Sequence, residues 1–191
     1  MRRIGLFGGS FNPVHLGHLL LSQAAMEEVP LSRLFFIPAA QSPFKLNANM
    51  APAQERLRLL HLALAGQKAC EVDPSEVLCG GISYTIQTVR AYAKRFPGDQ
   101  LFYLIGADLV KDLPKWHSAG ELAELVDFLV IPRPGEPMLP LPVPFRGRPL
   151  RGFPLAISSS QIRDRVKAGL PIDLLVGPAV AEAIGNNGLY R

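Results

Sequence analysis

Short apolar runs of strand length alternate with helical patterns along the chain, and that alternation leaves few folds open. The strand-like runs are residues 4–7, 34–37, 69–72, 101–105, 128–131 and 155–157. Between them the pattern predicts a helix over 16–29, stopped by Pro30, and another entered at Pro52, with Leu57, Leu60 and Leu64 as its apolar stripe. A further helix is expected from an N-cap at Ser83 to Arg95, closed by Pro97-Gly98. The tetrapeptide Ser118-Ala119-Gly120-Glu121 reads as a capping box opening the next, and helices follow at 159–167 and 178–184. Strand and helix in turn imply an α/β domain with a parallel, doubly wound sheet and helices on both faces. At 191 residues the chain suits a single domain, 1–191, with one sizeable core.

Eight prolines between Pro132 and Pro154 exclude a helix or a central strand there, and predict an extended surface connection over 132–154. Apolar residues make up 48% and charged ones 19%, which excludes disorder and a charged coiled coil. The net charge of +4 suits a small anionic ligand and is too small to coat nucleic acid; Arg146, Arg148 and Arg151 form the one candidate basic patch. Two cysteines, Cys70 and Cys79, need not be a disulfide framework, and a reducing cytoplasm is expected. No run approaches a membrane span of ~20 residues. Arg2-Arg3 precedes an apolar stretch that Gly8-Gly9 and Asn12-Pro13 soon interrupt, so the opening reads as a strand rather than a signal peptide.

Chemistry concentrates where strands end. Gly8-Gly9-Ser10-Phe11-Asn12-Pro13-Val14-His15-Leu16-Gly17-His18 lies between the first strand and the first helix, where open α/β sheets bind ligands. Paired glycines let a phosphate approach the backbone, and imidazoles three residues apart at a helix start can donate to phosphate oxygens. The segment is neither the Gly-x-Gly-x-x-Gly dinucleotide fingerprint nor a P-loop. A zinc site is the competing reading of the histidine pair, but His61 and His117 lie in unrelated contexts and no cysteine pair has ligand spacing. Near the other terminus, Ile157-Ser158-Ser159-Ser160-Gln161-Ile162-Arg163 sets three hydroxyls at a helix N-terminus, with an arginine one turn on. One of those serines is accounted for by a plain N-cap. Gly106-Ala107-Asp108 and Pro132-Arg133 also follow strands, and Lys45 ends the loop after the second. Asp108 alone is better explained by a helix cap. Trp116, between Lys115 and His117, can stack on a heterocycle or sit half-buried. In a parallel sheet all these residues converge on one edge, a constellation that favours a polyphosphate ligand.

With its His15-Leu16-Gly17-His18 and Ser158-Ser159-Ser160-Gln161-Ile162-Arg163 segments, the chain resembles the Rossmann-like nucleotidyltransferase superfamily. Within it the chain is similar to the bacterial nicotinate-nucleotide adenylyltransferases, through Gly8 to Pro13, Ile82-Ser83-Tyr84-Thr85, Ile105-Gly106-Ala107-Asp108, Trp116, Pro132-Arg133 and Asn187-Gly188-Leu189-Tyr190. The resemblance implies adenylyl transfer from ATP to nicotinate mononucleotide, giving deamido-NAD and pyrophosphate. It makes His15, His18 and Arg163 catalytic, with His18 at the α-phosphate. It assigns Gly8, Gly9, Ser10, Phe11, Lys45, Ile157, Ser158, Ser159 and Ser160 to ATP. It assigns Thr85, Gly106, Asp108, Trp116 and Arg133 to the nicotinate nucleotide. Magnesium is expected to ride on the phosphates without dedicated protein ligands. Neither nucleic acid nor membrane is expected as a partner, and a homo-oligomer stays open. The alternatives are a phosphopantetheine adenylyltransferase, which carries Thr for the first histidine, and a nucleotide-binding module without turnover.

Overall fold

The computed structural model describes residues 1–43, 50–133, 135, 137–153 and 155–191, so Lys45, Pro134 and Pro154 lie outside the described residues. Strands β1 (Arg3–Gly9), β2 (Arg33–Pro38), β3 (Cys70–Val72), β4 (Gln100–Gly106), β5 (Asp127–Ile131) and β6 (Gly147–Pro149) form one sheet in the order β3-β2-β1-β4-β5-β6. Every neighbouring pair is parallel. The doubly wound α/β expectation is met, and the order reverses between β1 and β4, where such sheets open a ligand crevice.

The inner strands are apolar on both faces because helices cover both. Leu34 and Phe36 of β2, with Phe102, Leu104, Leu129 and Ile131, face one way. They pack under α1 (Leu16–Glu28), α2 (Ala53–Ala63), α6 (Ser159–Lys167), α7 (Asp173–Val176) and α8 (Pro178–Asn186). Phe35, Ile37, Tyr103, Ile105, Phe128 and Val130 face the other way. Over them lie α4 (Thr85–Arg95), a 3-10 helix (Ala107–Lys115) and α5 (Ala119–Leu125), while the short α3 (Ser75–Cys79) adds Val77 to the buried residues.

Several local expectations are corrected. Residues 155–157 form no strand: Ile157 N–H turns back to Leu155 O, and the outer edge of β5 is taken by β6, inside the proline-rich segment. Pro149 is tolerated there because β6 is an edge strand. Ser83 caps no helix; α4 begins two residues later, and the Ser83 hydroxyl accepts from Ala40 N–H at 3.0 Å. The capping box at Ser118 does not form. Ser118 sits at φ 54°, and Glu121 faces outward to pair with Arg90. In α2 the buried residues are Leu59, Leu60 and Arg56, with Leu57 only half-buried. Helices α3, α7 and the 3-10 helix lacked sequence signals strong enough to predict. Arg146 and Arg148, of the candidate basic patch, are engaged within the fold, Arg146 with Asp127 and Arg148 with the Glu28 carbonyl. Glu28 also accepts from the Arg151 and Gly152 N–H groups, tying the connection to the end of α1.

Candidate functional site

The site lies on the sheet edge formed by the ends of β1, β4 and β5. After β1 the chain passes Ser10, turns through Phe11 at φ 44°, and enters α1 behind His15. The two imidazoles stack with centroids 3.8 Å apart. His15 N–H donates to His18 Nδ1 at 3.2 Å, which leaves the neutral His18 ring proton on Nε2, aimed away from its own backbone. His18 is half-buried and braced by the Phe11 ring at 5.0 Å. Phe11 itself is buried, its ring packed on Phe7, Phe36 and His18.

His15 is buried, and its pKa is lowered to about 4, first by burial and then by the nearby Arg133 guanidinium. It is therefore a neutral donor at pH 7. Its Nδ1 is buried with no hydrogen-bond partner among the described residues.

The late serine segment meets this turn directly. Arg163 Nη1 donates to Asn12 O at 2.9 Å, and Ser159 Oγ donates to Pro13 O at 2.9 Å. A Cβ on Gly17 would lie 2.7 Å from Ile157 Cγ2 and 3.0 Å from His15 Nδ1, so glycine is what lets the two segments touch. The serines divide their work. Ser158 caps α6, accepting from Gln161 N–H while Gln161 Oε1 accepts from Ser158 N–H at 2.9 Å. Ser159 joins the turn, and Ser160 Oγ accepts from Arg163 Nη2 at 3.1 Å. The expected convergence of the two ends of the chain is present.

Across the crevice, Gly106 ends β4. A Cβ there would lie 2.4 Å from Asp108 Oδ1 and 3.2 Å from Arg133 Nε, whose ion pair at 2.9 Å fills the space. Arg133, following the β5 end, thus holds its charge within electrostatic reach of His15. Thr85 and Trp116 line a separate cavity of about 240 Å³ with Pro43, Tyr84 and Leu122. Trp116 is half-buried, edge-on to Tyr103 and Phe128.

Sequence reasoning missed Arg56. It is 1% exposed and donates to the carbonyls of Ser10, Ala39, Ala40 and Ala51. It clamps the loops after β1 and β2 together. The available signal was a charge inside the stripe it shares with Leu59 and Leu60 on α2. Tyr190 is the second omission: its hydroxyl is buried, and Arg56 and Arg163 both lie within electrostatic reach. Burial, the larger effect, nevertheless holds its pKa above the usual phenol value.

A doubly wound sheet whose first turn is gripped by a serine-arginine segment from the far terminus is the arrangement that the resemblance to the nucleotidyltransferase superfamily implies. A family model described as cytidylyltransferase-like matches residues 6–165. A protein of Opitutus terrae, named a probable nicotinate-nucleotide adenylyltransferase, is 41% identical over 191 residues, covering 99% of this chain and 98% of that one. The nicotinate-nucleotide adenylyltransferase of Bacillus subtilis strain 168 is 36% identical, with 100% of both chains covered. Among solved structures, Plasmodium falciparum nicotinic acid mononucleotide adenylyltransferase complexed with NaAD matches with a TM-score of 0.78 and 16% identity, over 100% of this chain and 98% of that one. The chain belongs to the cytidylyltransferase-like family and, within it, to the nicotinate-nucleotide adenylyltransferases.

Proposed function

We propose that the protein transfers the adenylyl group of ATP to nicotinate mononucleotide, releasing pyrophosphate and forming deamido-NAD, a step of NAD biosynthesis. The observation that carries this reading is the junction of the two segments, Arg163 on Asn12 and Ser159 on Pro13, beside the paired imidazoles.

An oxygen of the acceptor 5′-phosphate forms the new bond to the α-phosphorus as the bond to the pyrophosphate oxygen breaks. That phosphate is largely ionised at neutral pH, with a second pKa of about 6, so no side chain need take its proton. The work left to the protein is alignment and charge stabilisation. His18, with its proton on Nε2, donates to an α-phosphate oxygen. His15, held neutral, donates without carrying a charge that would trap the ground state, and Arg163 neutralises the leaving pyrophosphate. Loss of one such donor is expected to raise the barrier by about 3 to 4 kcal/mol. Among the described residues no three His, Cys, Asp or Glu side chains cluster to hold a metal, and Asp108 is engaged by Arg133. Magnesium arriving on the ATP phosphates would ask for no dedicated protein ligand here. When bound, the ion supplies further neutralisation of the phosphate oxygens.

For the acceptor, the indole of Trp116 flanks the nicotinate ring, and N–H groups of the first turn of α4, opening at Thr85, receive its carboxylate. Backbone donors at a helix N-terminus favour an anion over a neutral amide. Arg133 and Asp108, at the crevice below, position the nucleotide phosphate and ribose. Soluble substrates suit a cytoplasmic site of action, and no helix among the described residues is long and apolar enough to cross a membrane.

The test is a coupled pyrophosphate-release assay with ATP, magnesium and one acceptor at a time. Turnover with nicotinate mononucleotide exceeding that with its amide counterpart is expected. Product with phosphopantetheine alone would overturn the assignment. His18→Ala that left ATP binding and turnover both unchanged would overturn the mechanism.

A further inference from the structure

Tyr103 takes no part in the chemistry above, yet its side chain meets three of the positions assigned to substrate. It leaves β4 with 7% exposure. Its hydroxyl occupies the space over Gly8, where a Cβ would lie 2.0 Å from Oη and 3.0 Å from Cζ. The same oxygen lies 3.5 Å from Thr85 Oγ1, at the outer limit of a hydrogen bond. The ring stands edge-on to Trp116, with centroids 6.2 Å apart at 88°. One phenol therefore touches the end of β1, the start of α4 and the indole. Behind it Glu76 of α3 accepts from Thr88 of α4. Burial, with the Glu76 charge second, raises the Tyr103 pKa, so the hydroxyl keeps its proton throughout the working range.

We propose that Tyr103 is a positioning residue for the acceptor: its hydroxyl spaces Thr85 from Gly8, and its ring sets the angle of Trp116. This rests on the reading of the Thr85–Trp116 cavity as the nicotinate pocket. Phenylalanine at this position keeps the ring but leaves Thr85 without that partner and a gap over Gly8. Acceptor affinity should then fall, while ATP affinity and the chemical step, set by the histidine turn and Arg163, should not.

The chain has a single tryptophan, so its fluorescence excited at wavelengths beyond tyrosine absorption reads Trp116 alone. Titration of the wild-type protein with nicotinate mononucleotide should change that fluorescence saturably. For Tyr103→Phe the apparent Kd and the acceptor KM should rise about threefold to tenfold, the size of one neutral hydrogen bond. Its kcat and ATP KM should stay within about twofold, below what a lost hydrogen bond produces. Gly8→Ala, at a position assigned to ATP, forces the methyl onto the hydroxyl and should weaken both substrates; adding Tyr103→Phe should restore part of the acceptor affinity and leave the ATP loss largely in place. An unchanged acceptor Kd in Tyr103→Phe, or kcat and both KM values moving together, would overturn the role of Tyr103 alone. Wild-type fluorescence indifferent to nicotinate mononucleotide would overturn the pocket assignment and this role with it.

Discussion

Gly17→Ala tests the junction of the two segments at the atom where they meet. Alanine at a helical position favours the helix by up to about 1 kcal/mol relative to glycine. Opposing this, the new Cβ would lie 2.7 Å from Ile157 Cγ2 and 3.0 and 3.1 Å from His15 Nδ1 and Cε1. Neither neighbour is a flexible chain end: Cγ2 is fixed to a branched Cβ, and the imidazole is stacked on His18 at 3.8 Å. Overpacking of this kind costs about 1 to 3 kcal/mol, so against the helix gain a net destabilisation of up to about 2 kcal/mol is expected. For a chain of this size that corresponds to a fall in Tm of up to roughly 8 °C. Activity should suffer more than stability, because tilting His15 and lifting the entry to α6 misplaces donors whose displacement by about 1 Å can cost about 100-fold. Thermal unfolding and steady-state kcat/KM measure the two effects. Adding Ile157→Ala removes Cγ2, and should recover stability but little activity, since the contact with His15 remains. Gly17→Ala that melted at or above the wild type with unchanged kcat/KM would refute the close approach.

Two further predictions concern charge and burial. His15 titrates near 6.5 when free and at about 4 in the fold, so the unfolded chain binds its proton first as pH falls. Its contribution is fully present above about pH 6.5 and is lost on descent through about pH 4, for a total of about 3 kcal/mol. Urea unfolding from pH 7 to 4 should show a steeper loss for the wild type than for His15→Gln; equal slopes would contradict it. Arg56→Met leaves the loop carbonyls of Ser10, Ala39, Ala40 and Ala51 without their common donor and should cost about 3 to 5 kcal/mol by urea unfolding, with Arg56→Lys recovering less than half. A loss below about 1 kcal/mol would remove Arg56 as the clamp.

Sequence reading reached the sheet and the site where a local signal and the tertiary environment agree. Helix α6 spans Ser159–Lys167 as expected because Ser158 and Gln161 satisfy one another whatever surrounds them. At Ser118 the same pattern fails, since the chain arrives from the 3-10 helix through a left-handed residue and Glu121 finds Arg90 on α4 instead. Residues 155–157 have strand composition, but β6 already holds the β5 edge. The histidine and glycine positions were legible because parallel strands carry whatever follows them to one edge; the serines reach that edge without the strand expected before them. Arg56 and Tyr103 were not, because a helical arginine and a strand tyrosine look like solvent and core until the partners from other loops are in place. The convergence of the Arg163 segment on the histidine turn was expected from the geometry of a parallel sheet, whereas the bond from Arg163 to the Asn12 carbonyl had no signal in the sequence.

The most direct measurement is a double-mutant cycle on kcat/KM for ATP, using His18→Ala, Arg163→Ala and the double variant. If one triphosphate is held by both segments, each single substitution should lose about 3 to 4 kcal/mol of transition-state stabilisation. The double variant should then lose less than their sum by more than about 0.5 kcal/mol. Losses that add within that margin, or a single variant with wild-type kcat/KM, would mean that the two ends of the chain do not act on the same substrate group.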